Sequence, residues 1–311
     1  MSRRVTDWRG FVALVIGAAC IGIAPLWVRW SEVGPVATAF WRLALSLPFL
    51  AALAGRERRA PSCQDARRMA RLLKIWLVAA GVLFALDLGT WHLAIQRTSV
   101  ANACLLANLA PIVVAVGAWW FFAERPDGWF WVAAGLALGG AWWLTGASFS
   151  AGTEHWRGDL LSLVTALFYG GYQLCVARLG RDLGPSRLLF ISSAISAVAL
   201  WVYSTVLGET LWPGSARGWG VLLGLALTAQ VAGQGLITYG FGLVPAGVAS
   251  LTLLLQTVVA AVAGWWWLGE SLTGAQVAGG MVLLAGLVLA RWRQQAAKDR
   301  VTARGPSTAP L

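Results

Sequence analysis

Charge is what this sequence has least of. Lys, Arg, Asp and Glu make up 12% of its 311 residues, about half the roughly 25% of a soluble domain. Carboxylates are the scarcer sign, 13 Asp and Glu against 24 Lys and Arg. Histidine is almost missing: only His92 and His155 occur, which leaves no paired-histidine metal site and no HExxH pattern. The cysteines Cys20, Cys63, Cys104 and Cys175 lie far apart with no CxxC, so neither a disulfide framework nor a structural zinc site is expected. Clustered carboxylates, as hydrolytic chemistry would use, are absent as well. The longest interior polar stretch, Gly55 to Leu73, is too short for a soluble domain. No cofactor is implied.

What the chain has instead is apolar residues, 58% of the total. They fall into ten runs near 20 residues, at about 9–29, 35–54, 74–96, 99–121, 129–147, 159–179, 187–207, 218–241, 245–268 and 274–292. The fold class is therefore all-α integral membrane, with the lipid bilayer as its surroundings. The net charge of +11 could suggest nucleic acid, but the cations gather in short segments between runs, as membrane orientation requires. Arg29, Arg97, Arg157 and Arg217 fall on one side and Arg42 inside a run. The other nineteen of the 24 fall on the opposite side. That bias puts both termini in the cytoplasm and the protein in the cytoplasmic (inner) membrane as a multi-pass chain. The first run, broken by Pro25, reads as a membrane helix rather than a signal peptide. Residues 293–311 read as a disordered cytoplasmic tail.

The chain also repeats itself. Shifted by 146 positions, Val100–Ala141 lies over Ala246–Leu287 without a gap. Twelve positions are identical, among them Trp119/Trp265, Trp120/Trp266, Glu124/Glu270 and Gly140/Gly286. Each copy, 9–147 and 159–292, holds five runs, and an odd number inserts the second copy upside down. Inverted repeats of this kind are the architecture of secondary transporters, with the site between the halves. The motifs PLWVRW, AFWRLALSLPF, ANLAPIVVAVGAWWFFAE, GDLLSLVTALFYGGYQ and LLLQTVVAAVAGWWWLGE resemble the drug/metabolite transporter superfamily, specifically EamA-type proteins with two EamA repeats. Thr257 replaces, in the second copy, the proline at Pro111. The resemblance implies ten helices, alternating access and a small metabolite as substrate, without naming one.

Arg42 is the sharpest single residue. A charge inside hydrocarbon costs about 2.5–3.5 kcal/mol on insertion scales, so it faces a cavity or a partner. It reads as an anchor for a substrate anion or as half of a structural ion pair. Asp87, the only carboxylate deep in a run, is the candidate for proton coupling, a partner for Arg42, or a plain interhelical hydrogen bond. His92 with Trp91 lies near it towards the helix end, where a satisfied interfacial residue is the simpler reading. Asn108, Gln173, Gln230, Gln234 and Gln256, with Trp41, Tyr172 and Tyr239 nearby, form a mid-membrane polar band. Amides in lipid need partners, and five of them on several helices point to a polar cavity. Pro25, Pro48 and Pro111 are candidate bend points. Gly135xxxGly139 and Gly220xxxGly224 permit close helix contact within a monomer or between the halves of a homodimer. Glu124 and Glu270 read as fixing the turns after their helices.

The function these features support is secondary active transport of a small organic metabolite, such as an amino acid, by alternating access. The alternatives are a membrane enzyme acting on a lipid-linked substrate, for which catalytic clusters are missing, or a channel, which would need no inverted duplication.

Overall fold

The computed structural model describes residues 8–57, 66–95, 97, 106–145, 156–180, 182–269 and 272–303. Every regular element among them is helical. In chain order the rods are α1 (Trp8–Arg29), α2 (Pro35–Arg56), α3 (Ala66–Ile95), α4 (Ala110–Phe122), α5 (Gly128–Thr145), α6 (Trp156–Leu179), α7 (Pro185–Val206), α8 (Ala216–Leu243), α9 (Ala246–Trp267) and α10 (Gly274–Ala303). Eight are long and apolar enough to cross a bilayer, while α4 and α5 are apolar but shorter. The chain is a multi-pass helical membrane protein. Helix is the form that satisfies every backbone N–H and C=O internally where no water can. α2 and α7 each open on a proline after a glycine, Gly34-Pro35 and Gly184-Pro185, where a missing N–H costs nothing.

Several rods are interrupted, and the breaks matter for the site. α1 turns at Ile23 just before Pro25, and α2 turns at Leu45–Ser46 just before Pro48. Asn108–Leu109 is a turn ahead of Pro111, and α9 turns at Leu253–Leu254. Position 254 is position 108 shifted by the repeat distance, so the two copies break within one residue of the same place. The second copy does so with Thr257 instead of a proline. In α8, Ala226–Gln234 is a π-helix.

The packing is unchanged when the halves are swapped. α2 packs on α7, α4 on α9 and α5 on α10, each a helix against its repeat mate, while α1 on α8 has its counterpart in α6 on α3. The α5–α10 contact shows this atom by atom. A Cβ at Gly140 would strike Leu283 and the Gly279 carbonyl, and one at Gly286 would strike Ala137 and the Ala133 carbonyl. A shift of 146 turns the first set into the second. As the chain rises from Ala133 to Gly140, its neighbour falls from Gly286 to Gly279, so these equivalent helices run antiparallel. Gly135 and Gly139, the pair singled out in the sequence, have nothing within 4 Å. The close approach runs through the neighbouring face.

Carboxylates repeat the same symmetry. Glu209, just after α7, accepts from the Val36 and Ala37 amides at the start of α2 at 3.3 and 2.8 Å. Glu57, just after α2, accepts from the Ser186 and Arg187 amides at the start of α7 at 2.7 and 3.2 Å. Each satisfies orphan donors and sits at the positive end of a helix dipole. Glu124 does not simply fix its own turn. It accepts from the Ala246 amide at the start of α9 at 3.1 Å. Glu270 lies outside the described residues.

Candidate functional site

Polar side chains from α2, α3, α6, α7 and α8 meet inside this bundle. Arg42 is carried on α2, three residues before that helix breaks. Its Nε donates to Gln230 Oε1 at 3.1 Å, and Gln230 Nε2 donates to Ser193 Oγ on α7 at 3.0 Å. Gln230 is 0% exposed, so its amide is oriented by these two bonds. One turn along the π-helix, Gln234 Nε2 donates to the Tyr172 hydroxyl at 3.1 Å. The Tyr172 ring stacks on Phe84 of α3 with centroids 4.4 Å apart, which fixes the phenol. The wide π turn keeps Gln230 and Gln234 on one side of α8, the geometry that recurs at functional sites.

Asp87 on α3 is 7% exposed. It lies within Coulombic reach of Arg42, as do Tyr169 and Tyr172. Yet the Arg42 guanidinium and the Asp87 carboxylate form no direct ion pair, and the carboxylate has no hydrogen-bond partner among the described residues. Arg42 itself is only half-buried although protein surrounds it, so it borders a space that water can reach. A charge taken out of water this way is costly unless paired. Two opposite charges close together, neither answering the other directly, can receive a ligand that carries both signs.

Beside this pair lies a half-open cleft of about 180 Å³, its mouth included, formed where the breaks of the two repeats face each other. Asn108 and Pro111 come from the first copy, Ser250, Leu254 and Gln256 from the second, and Tyr169 and Gln173 from α6. Asn108 Nδ2 donates across the interface to Thr257 Oγ1 at 3.3 Å. The Tyr169 hydroxyl lies beside the amides of Gln173 and Gln256 and within reach of both Arg42 and Asp87, so it joins the cleft to the charged pair.

Of the residues singled out in the sequence, Arg42, Asp87, Asn108, Tyr172, Gln173, Gln230, Gln234 and Gln256 come together. Trp41 does not join them: its Nε1 donates to the Leu211 carbonyl at 2.6 Å, and its ring packs on Trp212 and Trp219 near the helix end. Tyr239 is 39% exposed on the bundle surface. Trp91 is partly buried on α3, and the His92 side chain lies outside those described. Among the described residues no three His, Cys, Asp or Glu gather as metal ligands would. Tyr169, Ser193, Ser250 and Thr257 were missed. Tyr169 was within reach, because it lies three residues before Tyr172 and so shares its helix face. The hydroxyls had no signal, since Ser and Thr are common in membrane helices as backbone-bonded residues.

Comparison with known proteins adds the following. The EamA-like transporter family matches residues 8–146 and 156–292. An uncharacterized transporter of Archaeoglobus fulgidus is 28% identical over 92% of this chain and 97% of its own length. The threonine/homoserine exporter RhtA of Escherichia coli is 26% identical over 88% of each chain. The pseudopaline exporter CntI of Pseudomonas aeruginosa is 24% identical over 70% of this chain and 75% of its own. A solved crystal structure superposes with a TM-score of 0.75 at 16% identity, over 94% of this chain and 100% of that one, which shows a shared fold.

Proposed function

The chain belongs to the EamA-like transporter family, and on that premise we propose that it is a secondary transporter of a small zwitterionic metabolite, an amino acid or a related compound. Ten spans, arranged as two inverted five-helix repeats with both termini cytoplasmic, would rock about the central cavity in the cytoplasmic membrane. The antiparallel packing of α5 on α10 supports the inversion, and the asymmetry of arginine and lysine supports the orientation. The names of two relatives as exporters support outward movement.

One observation carries the substrate class: Arg42 and Asp87 are close enough to feel each other's charge but form no ion pair. The substrate carboxylate takes the Arg42 guanidinium beside Gln230, and its ammonium takes Asp87. Between substrates Asp87 holds a proton, which the arriving ammonium displaces, so that export of one substrate is coupled to entry of one proton. The test is counterflow of radiolabelled L-amino acids in proteoliposomes, with and without an imposed pH gradient. Arg42→Ala abolishes counterflow. Asp87→Asn abolishes the response to the gradient; a full response in that variant would rule out the coupling.

A further inference from the structure

Two polar side chains in the cleft make no hydrogen bond, although the Tyr169 hydroxyl lies beside one of them, Gln173. Gln173 is 2% exposed and Ser250 is 1% exposed. Neither the Gln173 amide nitrogen, nor its oxygen, nor Ser250 Oγ has a hydrogen-bond partner. A buried polar atom left unpaired costs about 1–3 kcal/mol, and here three such atoms border one space. They sit on α6 and α9, both in the second copy of the repeat, at the Leu253–Leu254 break where α9 parts, and share the cleft with Asn108 and Pro111 of the first copy. The other polar groups of the cleft, Asn108, Tyr169 and Gln256, are uncharged as well. The charged residues lie to one side, joined to the cleft through Tyr169.

We propose that this cleft is a side-chain subsite that selects substrates bearing a small neutral group able both to donate and to accept hydrogen bonds, a hydroxyl or a carboxamide. The inference rests on the zwitterion reading above and adds what distinguishes one zwitterion from another. The Gln173 amide supplies one donor and one acceptor, and the Ser250 hydroxyl supplies either. A charged side chain would meet no counter-charge there. The cleft is small, about 180 Å³ with its open mouth included, so a large aromatic group would not fit. A site built to bond a polar group rejects the analogue that lacks it, because its own groups are then left unpaired.

L-threonine and L-valine have nearly the same shape and differ by the hydroxyl, and L-asparagine and L-leucine form the matching carboxamide pair. Initial counterflow rates of the four in proteoliposomes are the readout, for the wild type, Gln173→Leu, Ser250→Ala and Arg42→Ala. The wild type is expected to favour the polar member of at least one pair by about tenfold or more. Gln173→Leu brings that ratio to near one while valine or leucine movement persists, and Ser250→Ala lowers it part-way. Because Gln173→Leu removes two unpaired atoms, the substrate-free protein should also melt at a higher temperature, which a residue serving only the fold would not show. Equal wild-type rates within both pairs, with all movement lost in Arg42→Ala, would overturn the subsite and leave the zwitterion reading standing. No movement of any of the four would overturn both.

Discussion

Gln230 is the side chain on which the site's geometry depends. It spans from the Arg42 guanidinium to the Ser193 hydroxyl, with acceptor and donor each used once. Interhelical polar bonds in membrane proteins average only about 0.6 kcal/mol, so losing the serine bond alone matters little. Leaving a half-buried arginine donor without an acceptor is the larger effect, up to about 1–3 kcal/mol. Gln230→Leu is therefore expected to lower the melting temperature of the detergent-solubilised protein and to weaken counterflow. Gln230→Glu keeps an acceptor for Arg42 and should retain most of the stability. Equal losses in the two variants would show that the bond to Arg42 is not the important one. The sequence offered Gln230 as one amide among five without saying which it would meet. Rarity made Arg42, Asp87 and the amides legible, since each is expensive in lipid. Their pairing was not legible, because it depends on how α2, α3 and α8 rotate against one another. Trp41 shows the same thing: it is the neighbour of Arg42 in sequence, but one step of about 100° around the helix turns it to the Leu211 carbonyl instead.

At the scale of elements, the ten apolar runs and the repeat were plain in the sequence, and so were the breaks ahead of Pro25, Pro48 and Pro111. The break in α9 and the π-helix in α8 were not. Neither has a proline, and a π turn leaves no compositional mark. The glycine faces were only partly legible, because GxxxG spacing says that a close contact is permitted and not which face makes it: Gly224 meets the Trp27 ring, while Gly135, Gly139 and Gly220 meet nothing within 4 Å. Here the structure divides the glycines sharply. A methyl group at Gly140 or Gly286 would press on the backbone of the neighbouring helix, while one at Gly135 or Gly139 would meet open space. Gly140→Ala and Gly286→Ala should each cost about 1–3 kcal/mol, and by similar amounts, since their surroundings are equivalent. Gly135→Ala should gain about 0.5–1 kcal/mol from helix propensity alone. Thermal unfolding of the three single variants checks both signs. A loss at Gly135 as large as that at Gly140 would mean that the outer face also packs against something.

At the scale of the molecule, the question is what holds each face shut. Glu209 ties the end of α7 to the start of α2, and Glu57 ties the end of α2 to the start of α7. Because α2 and α7 run antiparallel, these two clasps lie at opposite ends of the same helix pair. Under the rocking proposed above, opening one end would part the clasp there and spare the other, so each carboxylate would stabilise one closed end and have no such preference at the far one. A ligand or residue shifts an equilibrium only by what it contributes differently to the two states. A carboxylate at a helix start contributes about 0.3–1 kcal/mol, up to about 2 when partly buried, and 1.4 kcal/mol is a tenfold change in population. Asn108→Cys, on an otherwise cysteine-free chain, places a thiol in the cleft where a membrane-impermeant maleimide can report its accessibility from either side. Glu209→Gln should raise labelling from the side bearing the start of α2, and Glu57→Gln from the opposite side, each by about three- to tenfold. The double variant should return towards the wild-type ratio, because weakening both ends equally biases neither. Labelling that rises from the same side in both single variants would mean that the paired carboxylates serve stability alone and that the rocking is controlled elsewhere.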